Sequence, residues 1–211
     1  MPTSNFRSIP YVIHLARELR PASVLDIGLG FGKYGFLLRE YLDVQAGQDG
    51  EPRYRKEEWK VRIDGVETFA DYITPLQRMI YDEIHVADVR NAIHELGAYD
   101  LVLMCDVIEH IPKAEALNLL QAILHRCNLG VVLTTPAVHY EQGALYGNPA
   151  EQHVSEWRSS DFSRFEHVQS MIADDVLTVV LSNQPLKVSL DPQKSWTEKW
   201  RRRLRRWRRG W

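Results

Sequence analysis

Ile9, Val12, Ile13, Ala16 and Leu19 recur at helical spacing behind Ser8, a residue suited to an N-cap, and Pro10 in the first turn. The chain is therefore expected to open with a helix that Pro21 closes. Short β-branched runs and helical patterns then take turns. Residues 23–27, 61–67 and 84–87 read as strands, each followed by a helical pattern at 33–42, 74–81 and 91–96. The series continues with a strand at 100–105, a helix at 113–127 carrying Leu117, Leu120, Leu124 and Cys127 on one face, and a strand at 131–135. Alternation of this kind predicts right-handed βαβ units and a mostly parallel open sheet with helices on both faces. It stops near the end, where residues 167–172 and 176–182 read as two strands joined by Ala173, Asp174 and Asp175. The sheet is expected to finish in an antiparallel hairpin. Residues 45–58 are polar, contain glycine and mix charges, as a surface insertion does.

The length of 211 residues suits a single globular domain, expected over residues 1–191. Cys105 and Cys127 lack metal-ligand spacing and read as buried thiols of a reducing compartment. The N-terminus shows no signal-peptide pattern, and no apolar run approaches the ~20 residues of a membrane span, so a cytoplasmic location is expected. The net charge of −2 conceals an asymmetry. Nine of the 26 Lys and Arg lie in residues 194–211 with a single acid, Glu198, which leaves 17 basic against 27 acidic residues before Lys194.

In this tail Trp196, Trp200, Leu204, Trp207 and Trp211 are spaced to share one side of a helix, within about an 80° arc, opposite an arginine face. The composition of residues 192–211 is that of a helix lying on an anionic membrane surface, which would make the protein peripheral at the inner face. Docking onto the acidic body or another protein, nucleic-acid binding and disorder are the alternatives.

Residues 23–28 run a buried strand into the turn Asp26-Ile27-Gly28-Leu29-Gly30-Phe31-Gly32, where glycines let backbone pass close to a ligand at the carboxyl edge of the sheet. A shifted register, Gly30 to Gly35, fits G-x-G-x-x-G and raises a dinucleotide site. In that pattern the first glycine follows the strand directly, as Gly28 does, and counting from Gly28 places Lys33 where the third glycine belongs. The next strands bring acids to the same edge. Glu67 stands where a carboxylate accepts both hydroxyls of a ribose. Asp88 stands where one accepts an exocyclic adenine amine, and Asp106 ends the fourth strand. Clustered carboxylates repel a pyrophosphate and suit a neutral or cationic nucleoside.

Together these segments resemble the class I S-adenosylmethionine-dependent methyltransferase family over about residues 8–183. The resemblance rests on D-x-G-x-G-x-G at 26–32, G-V-E at 65–67, A-D-V at 87–89, Y-D-L-V-L-M-C-D-V-I-E-H at 99–110 and T-T-P at 134–136. It implies a Rossmann-like fold with a terminal hairpin. It also implies that Asp26, Gly28, Gly30 and Gly32 hold the methionine part of S-adenosylmethionine, Glu67 the ribose, Asp88 with Val89 the adenine, and Asp106 the surroundings of the sulfonium.

Methyl transfer from a sulfonium depends largely on positioning, and a hydroxyl acceptor must also lose a proton. His110 and His153 are the candidate general bases, with Glu109 orienting an imidazole. The alternative is that Glu109 and His110 merely cap the turn into the next helix. D-x-x-E-H at 106–110 with His153 is also similar to the E-x-x-E-H plus His set by which some related O-methyltransferases hold a divalent ion. Here the first position is Asp, one methylene shorter. Residues 142–149, with Tyr140 and Tyr146 nearby, read as a substrate-covering loop. Resemblance of the Y-G-N-P stretch and of H-V-S-E-W at 153–157 to bacterial methyltransferases implies a sugar or surface-glycan acceptor. A small-molecule or glycan acceptor methylated on oxygen is the expected substrate. A cofactor-sensing module without turnover and a nicotinamide-dependent oxidoreductase are the competing functions.

Overall fold

The computed structural model describes residues 3–45 and 51–194, so the aromatic and basic residues of the tail, from Trp196 onward, lie outside the described part. The helices are α1 (Ile9–Leu19), α2 (Lys33–Arg39), α3 (Pro75–Ile80), α4 (Val89–Ala92) and α5 (Lys113–Leu124). The strands are β1 (Ser23–Ile27), β2 (Arg62–Glu67), β3 (Glu83–Val86), β4 (Tyr99–Cys105), β5 (Cys127–Pro136), β6 (His167–Ala173) and β7 (Val176–Ser182). They form one sheet in the order β3-β2-β1-β4-β5-β7-β6. The first five are parallel, β7 runs antiparallel to β5, and β6 to β7. The expected parallel sheet with a terminal hairpin is thus present. Its strand order reverses between β1 and β4, which opens a crevice beyond their carboxyl ends.

Strand residues alternate between two cores. Leu25, Ile27, Val102, Met104 and Leu133 pack under α4 and α5, whereas Val24, Ile63, Leu101, Leu103 and Val132 pack under α1 and α2. A strand buried on both faces reads as a continuous apolar run, which is why β4 and β5 were so plain in the sequence. On the second face Arg39 is a buried hub. Its guanidinium reaches Asp43 at 3.2 Å, Asp82 at 2.6 Å and the carbonyls of Ile80 and Val61, and it stacks on Trp59. The polar insertion joins this hub through buried Arg53, whose amide donates to the Asp43 carbonyl at 3.3 Å and whose carbonyl accepts the Trp59 indole at 3.2 Å.

Three local expectations are corrected. Ser8 caps nothing with its side chain: it is fully buried, and its hydroxyl lies 2.6 Å from the Asn5 carbonyl and 2.7 Å from the Tyr34 hydroxyl. The helix expected to reach Cys127 ends at Leu124, and Cys127 instead opens β5, because pairing with Tyr99 on β4 overrides a helical spacing that continues by chance. The helix expected at 91–96 is a single turn at Val89–Ala92, capped by Asp88, whose carboxylate accepts from the Arg90 amide at 2.9 Å. No helix among the described residues is long and apolar enough to cross a membrane.

Candidate functional site

Gly28, Gly30 and Gly32 all have positive φ, so the chain can turn sharply between β1 and α2. At Gly28 the constraint is also steric, since a Cβ there would stand 2.4 Å from Val107 Cγ2. Gly35, the last glycine of the shifted dinucleotide register, has a different task. A Cβ on it would meet the Tyr81 ring at 2.3 Å, and Tyr81 passes that point to donate its hydroxyl to Asp26 at 2.6 Å.

The turn floors a cavity of about 580 Å³, which Asp26, Glu67, Asp88, Val89 and Asp106 all line. The acids predicted from four successive strands therefore face one space. Asp26 is buried, and this burial pushes its carboxyl up to about 7, against the pull of the Tyr81 hydrogen bond and with the Glu67 charge adding to the rise. Between about pH 4 and 7 the folded protein keeps a proton that the unfolded chain gives up. Stability is thus expected to fall as pH rises through this window and to level off above it. Asp26→Asn, which still accepts from Tyr81, is expected to gain on the wild type by about 2–4 kcal/mol between pH 5 and pH 8. Urea unfolding at the two pH values measures this, and an unchanged difference would contradict it.

Glu67 is buried at the end of β2. One oxygen accepts the Gly30 amide at 3.1 Å and the other the Phe69 amide at 2.9 Å. Each oxygen keeps a lone pair for a further donor. Asp88 is more committed than the sequence indicated. Arg90 clamps both of its oxygens, at 3.0 and 2.5 Å, and continues to Glu115 at 2.6 Å, which holds the Asp88 carboxyl below its usual range. Asp106 adopts φ of +54°, unusual for a residue with a side chain. Its carboxylate accepts from the Thr134 hydroxyl at 2.9 Å and from the Asn5 amide at 2.5 Å.

Away from the glycine turn lie Glu109, His110 and His153. Their potential ligand atoms are all within 4.8 Å of one another, and the imidazole centroids are 4.9 Å apart. His110 Nδ1 is 3.1 Å from the Gln152 carbonyl and His153 Nδ1 2.7 Å from the Tyr140 carbonyl. A carbonyl only accepts, so each Nδ1 carries a proton and Nε2 is the atom left for a further partner. Burial, with the His153 charge among the lesser causes, holds the His110 pKa below its ordinary value. Glu109 is 2% exposed, and its Oε2 has no hydrogen-bond partner. Burial first, then the Asp106 charge, raises its carboxyl well above the usual range. The capping alternative is set aside by this arrangement: neither side chain caps, and Pro112 precedes α5.

A segment the sequence left unexplained fixes the spacing of the three. The amides of Val154 and Ser155 donate to the Glu109 carbonyl at 2.9 and 3.1 Å. The Ser155 hydroxyl donates to the Ile111 carbonyl at 2.9 Å and accepts from the buried Trp157 indole at 2.9 Å. Of the loop expected to cover substrate, Gln142 and Asn148 line the cavity, and Tyr140 stands 59% exposed at its wall. Tyr146 points to solvent and is not part of the lining. Sequence reasoning also missed Thr3, Ser4, Asn5 and Lys33, which line the glycine-turn end. Only Lys33, directly after Gly32, carried any signal.

The donor set Glu109, His110 and His153 fits a divalent ion. It offers a buried carboxylate with one orphaned oxygen and two imidazoles whose rings are oriented by carbonyls, as metal-bound imidazoles usually are. Asp106, the first residue of the motif, is not among the clustered donors.

A scan against family models found none that matches, and a search of curated proteins found no match. Solved structures do match. An O-methyltransferase family protein from Burkholderia thailandensis has a TM-score of 0.56 at 13% identity, over 85% of this chain and 57% of that one. A SAM-dependent methyltransferase from Archaeoglobus fulgidus has 0.55 at 14%, over 83% and 89%. The plantazolicin methyltransferase, solved in complex with SAH, has 0.53 at 13%, over 84% and 86%. The chain spans little more than half the length of the Burkholderia protein. With its strand order and terminal hairpin, the chain has the class I Rossmann-like methyltransferase fold.

Proposed function

We propose that the protein transfers the methyl group of S-adenosylmethionine to a hydroxyl oxygen of a small molecule or glycan precursor. The observation that carries this reading is the single cavity in which the glycine turn and the carboxylates Asp26, Glu67, Asp88 and Asp106 meet a pair of imidazoles with free Nε2 atoms. Such an acidic lining suits a donor with a sulfonium and an ammonium, and disfavours the pyrophosphate of a dinucleotide. The fold neighbours, SAM-dependent methyltransferases among them, support the same reading.

In the reaction the acceptor oxygen attacks the methyl carbon in line with the sulfur. The C–S bond breaks, its electron pair stays on sulfur to give S-adenosylhomocysteine (SAH), and the hydroxyl proton passes to His153 Nε2 or His110 Nε2. Glu109, whose carboxyl is raised well above its usual range by burial and by the Asp106 charge, lies beside the two imidazoles. A divalent ion is the second reading, favoured by the orphaned Glu109 Oε2. Held by Glu109, His110 and His153, such an ion would lower the pKa of the hydroxyl. Methyl-labelled donor offered with a panel of polyols and sugars tests the proposal. An alkali-stable labelled ether is expected, and labelling of no acceptor, or only of amines, would count against it. Loss of label with a chelator separates the metal from the simple base.

We also propose that residues 194–211 hold the enzyme on an anionic membrane, from their charge and tryptophan spacing in the sequence. In liposome flotation the full chain is expected to rise with anionic vesicles and a chain ending at residue 193 to stay behind. Equal flotation of both would sink the idea.

A further inference from the structure

The cavity has an uneven charge balance. Among the described residues seven carboxylic acids line it, of which burial raises the carboxyls of Asp26 and Glu109, against two Lys or Arg side chains, Lys33 and Arg90. Arg90 is committed, since Asp88 and Glu115 take its guanidinium. Lys33 is not. It opens α2 directly behind Gly32, is half-buried, and donates from Nζ to the Ser4 carbonyl. An ammonium has three donors, so this bond leaves two for another acceptor at the glycine-turn end of the cavity.

The segment that supplies Ser4 is fixed in place. The Asn5 amide donates to Asp106 at 2.5 Å, the Ser8 hydroxyl pairs with Tyr34 at 2.7 Å, and Arg7 donates to the Asp174 carbonyl at 3.2 Å across the hairpin turn. Thr3, Ser4 and Asn5 thereby wall the cavity above Lys33. The proposed donor brings one anion, the carboxylate of its methionine part. In so acidic a space this anion needs a cation, and of the two Lys or Arg side chains that line it among the described residues, Lys33 stands at the glycine turn, where the methionine part is expected.

We propose that Lys33 binds the carboxylate of the donor's methionine part, with residues 3–5 closing that pocket from above. This rests on the reading that the donor is S-adenosylmethionine. Lys33 then separates the full donor from nucleosides that lack the amino-acid carboxylate, a discrimination that Glu67 and Asp88 at the nucleoside end do not supply.

Calorimetry with SAH and with decarboxylated SAH, which keeps adenosine, thioether and amine, tests this on the full chain. Lys33→Met is expected to weaken SAH by about 10- to 100-fold, to leave the decarboxylated compound within about threefold, and Lys33→Arg to restore much of the loss. Thermal unfolding of the variants checks that the fold is kept. Equal weakening of both ligands would mean that Lys33 only props the N-terminal segment, and no weakening of either would mean that it has no role; each overturns the proposal. If the wild type binds neither compound, the donor assignment fails first, and the proposal with it.

Discussion

Replacing His153 by alanine is expected to slow methyl transfer by about 10²- to 10⁴-fold, the usual contribution of a positioned general base, while SAH binding stays within about twofold. The asymmetry follows from where the ring sits. His153 belongs to the end of the cavity formed by Glu109, His110 and Tyr140, and the carboxylates expected to touch the donor are Asp26, Glu67, Asp88 and Asp106. Its Nδ1 is occupied by the Tyr140 carbonyl, so only Nε2 is open to an acceptor. A metal bound to the same three residues would be lost in the variant too. For that reason the rate should be read beside the chelator experiment, where a metal-free wild type is unaffected. An unchanged rate for the variant would remove His153 from the chemistry under either reading.

Glu67→Ala is expected to weaken SAH by about 30-fold or more, since hydrogen bonds to a charged acceptor contribute about 1.5–3 kcal/mol each. Part of this loss is indirect. The Glu67 carboxylate also accepts the Gly30 and Phe69 amides, so its removal loosens the turn on which the donor rests. Comparison with the 2′,3′-dideoxy analogue of SAH separates the two. In the wild type the analogue should bind far more weakly than SAH, and in Glu67→Ala the gap should nearly close. A gap that persists would place the ribose elsewhere.

Much of this arrangement was legible in the sequence because it rests on short-range rules. The span of β1 was read exactly, since a buried β-branched run bounded by Pro21 and a glycine turn leaves little choice. The hairpin at the end was equally plain, and its turn residues Asp174 and Asp175 do take positive φ. Asp26, Glu67 and Asp106 could be placed on the cavity because strand ends reach a predictable edge of the sheet. The sequence was silent where partners are far apart. Nothing near Tyr81 says that its hydroxyl will hold Asp26, 55 residues earlier, and nothing near Asn5 says that its amide will meet Asp106.

Other features stayed hidden for equally local reasons. Asp88 looked like a free acceptor because Arg90, two residues on, has no periodicity to reveal that it folds back as a clamp. A capping role stood as the alternative for Glu109 because acids beside helix starts often cap. In the fold its side chain is buried with Oε2 unpartnered, while Val154 and Ser155, more than 40 residues on, hold its carbonyl. The H-V-S-E-W stretch carried no assignable chemistry beyond His153. In the fold, Ser155 and Trp157 set the distance between the two histidine-bearing segments, and so support the site to which His153 itself belongs.

The central claim is that the acidic cavity holds S-adenosylmethionine, and calorimetry of the full chain with that compound and with NAD in parallel tests it most directly. Saturable one-to-one binding of S-adenosylmethionine, with no heat from NAD, is the predicted result. Binding of NAD alone would contradict the account.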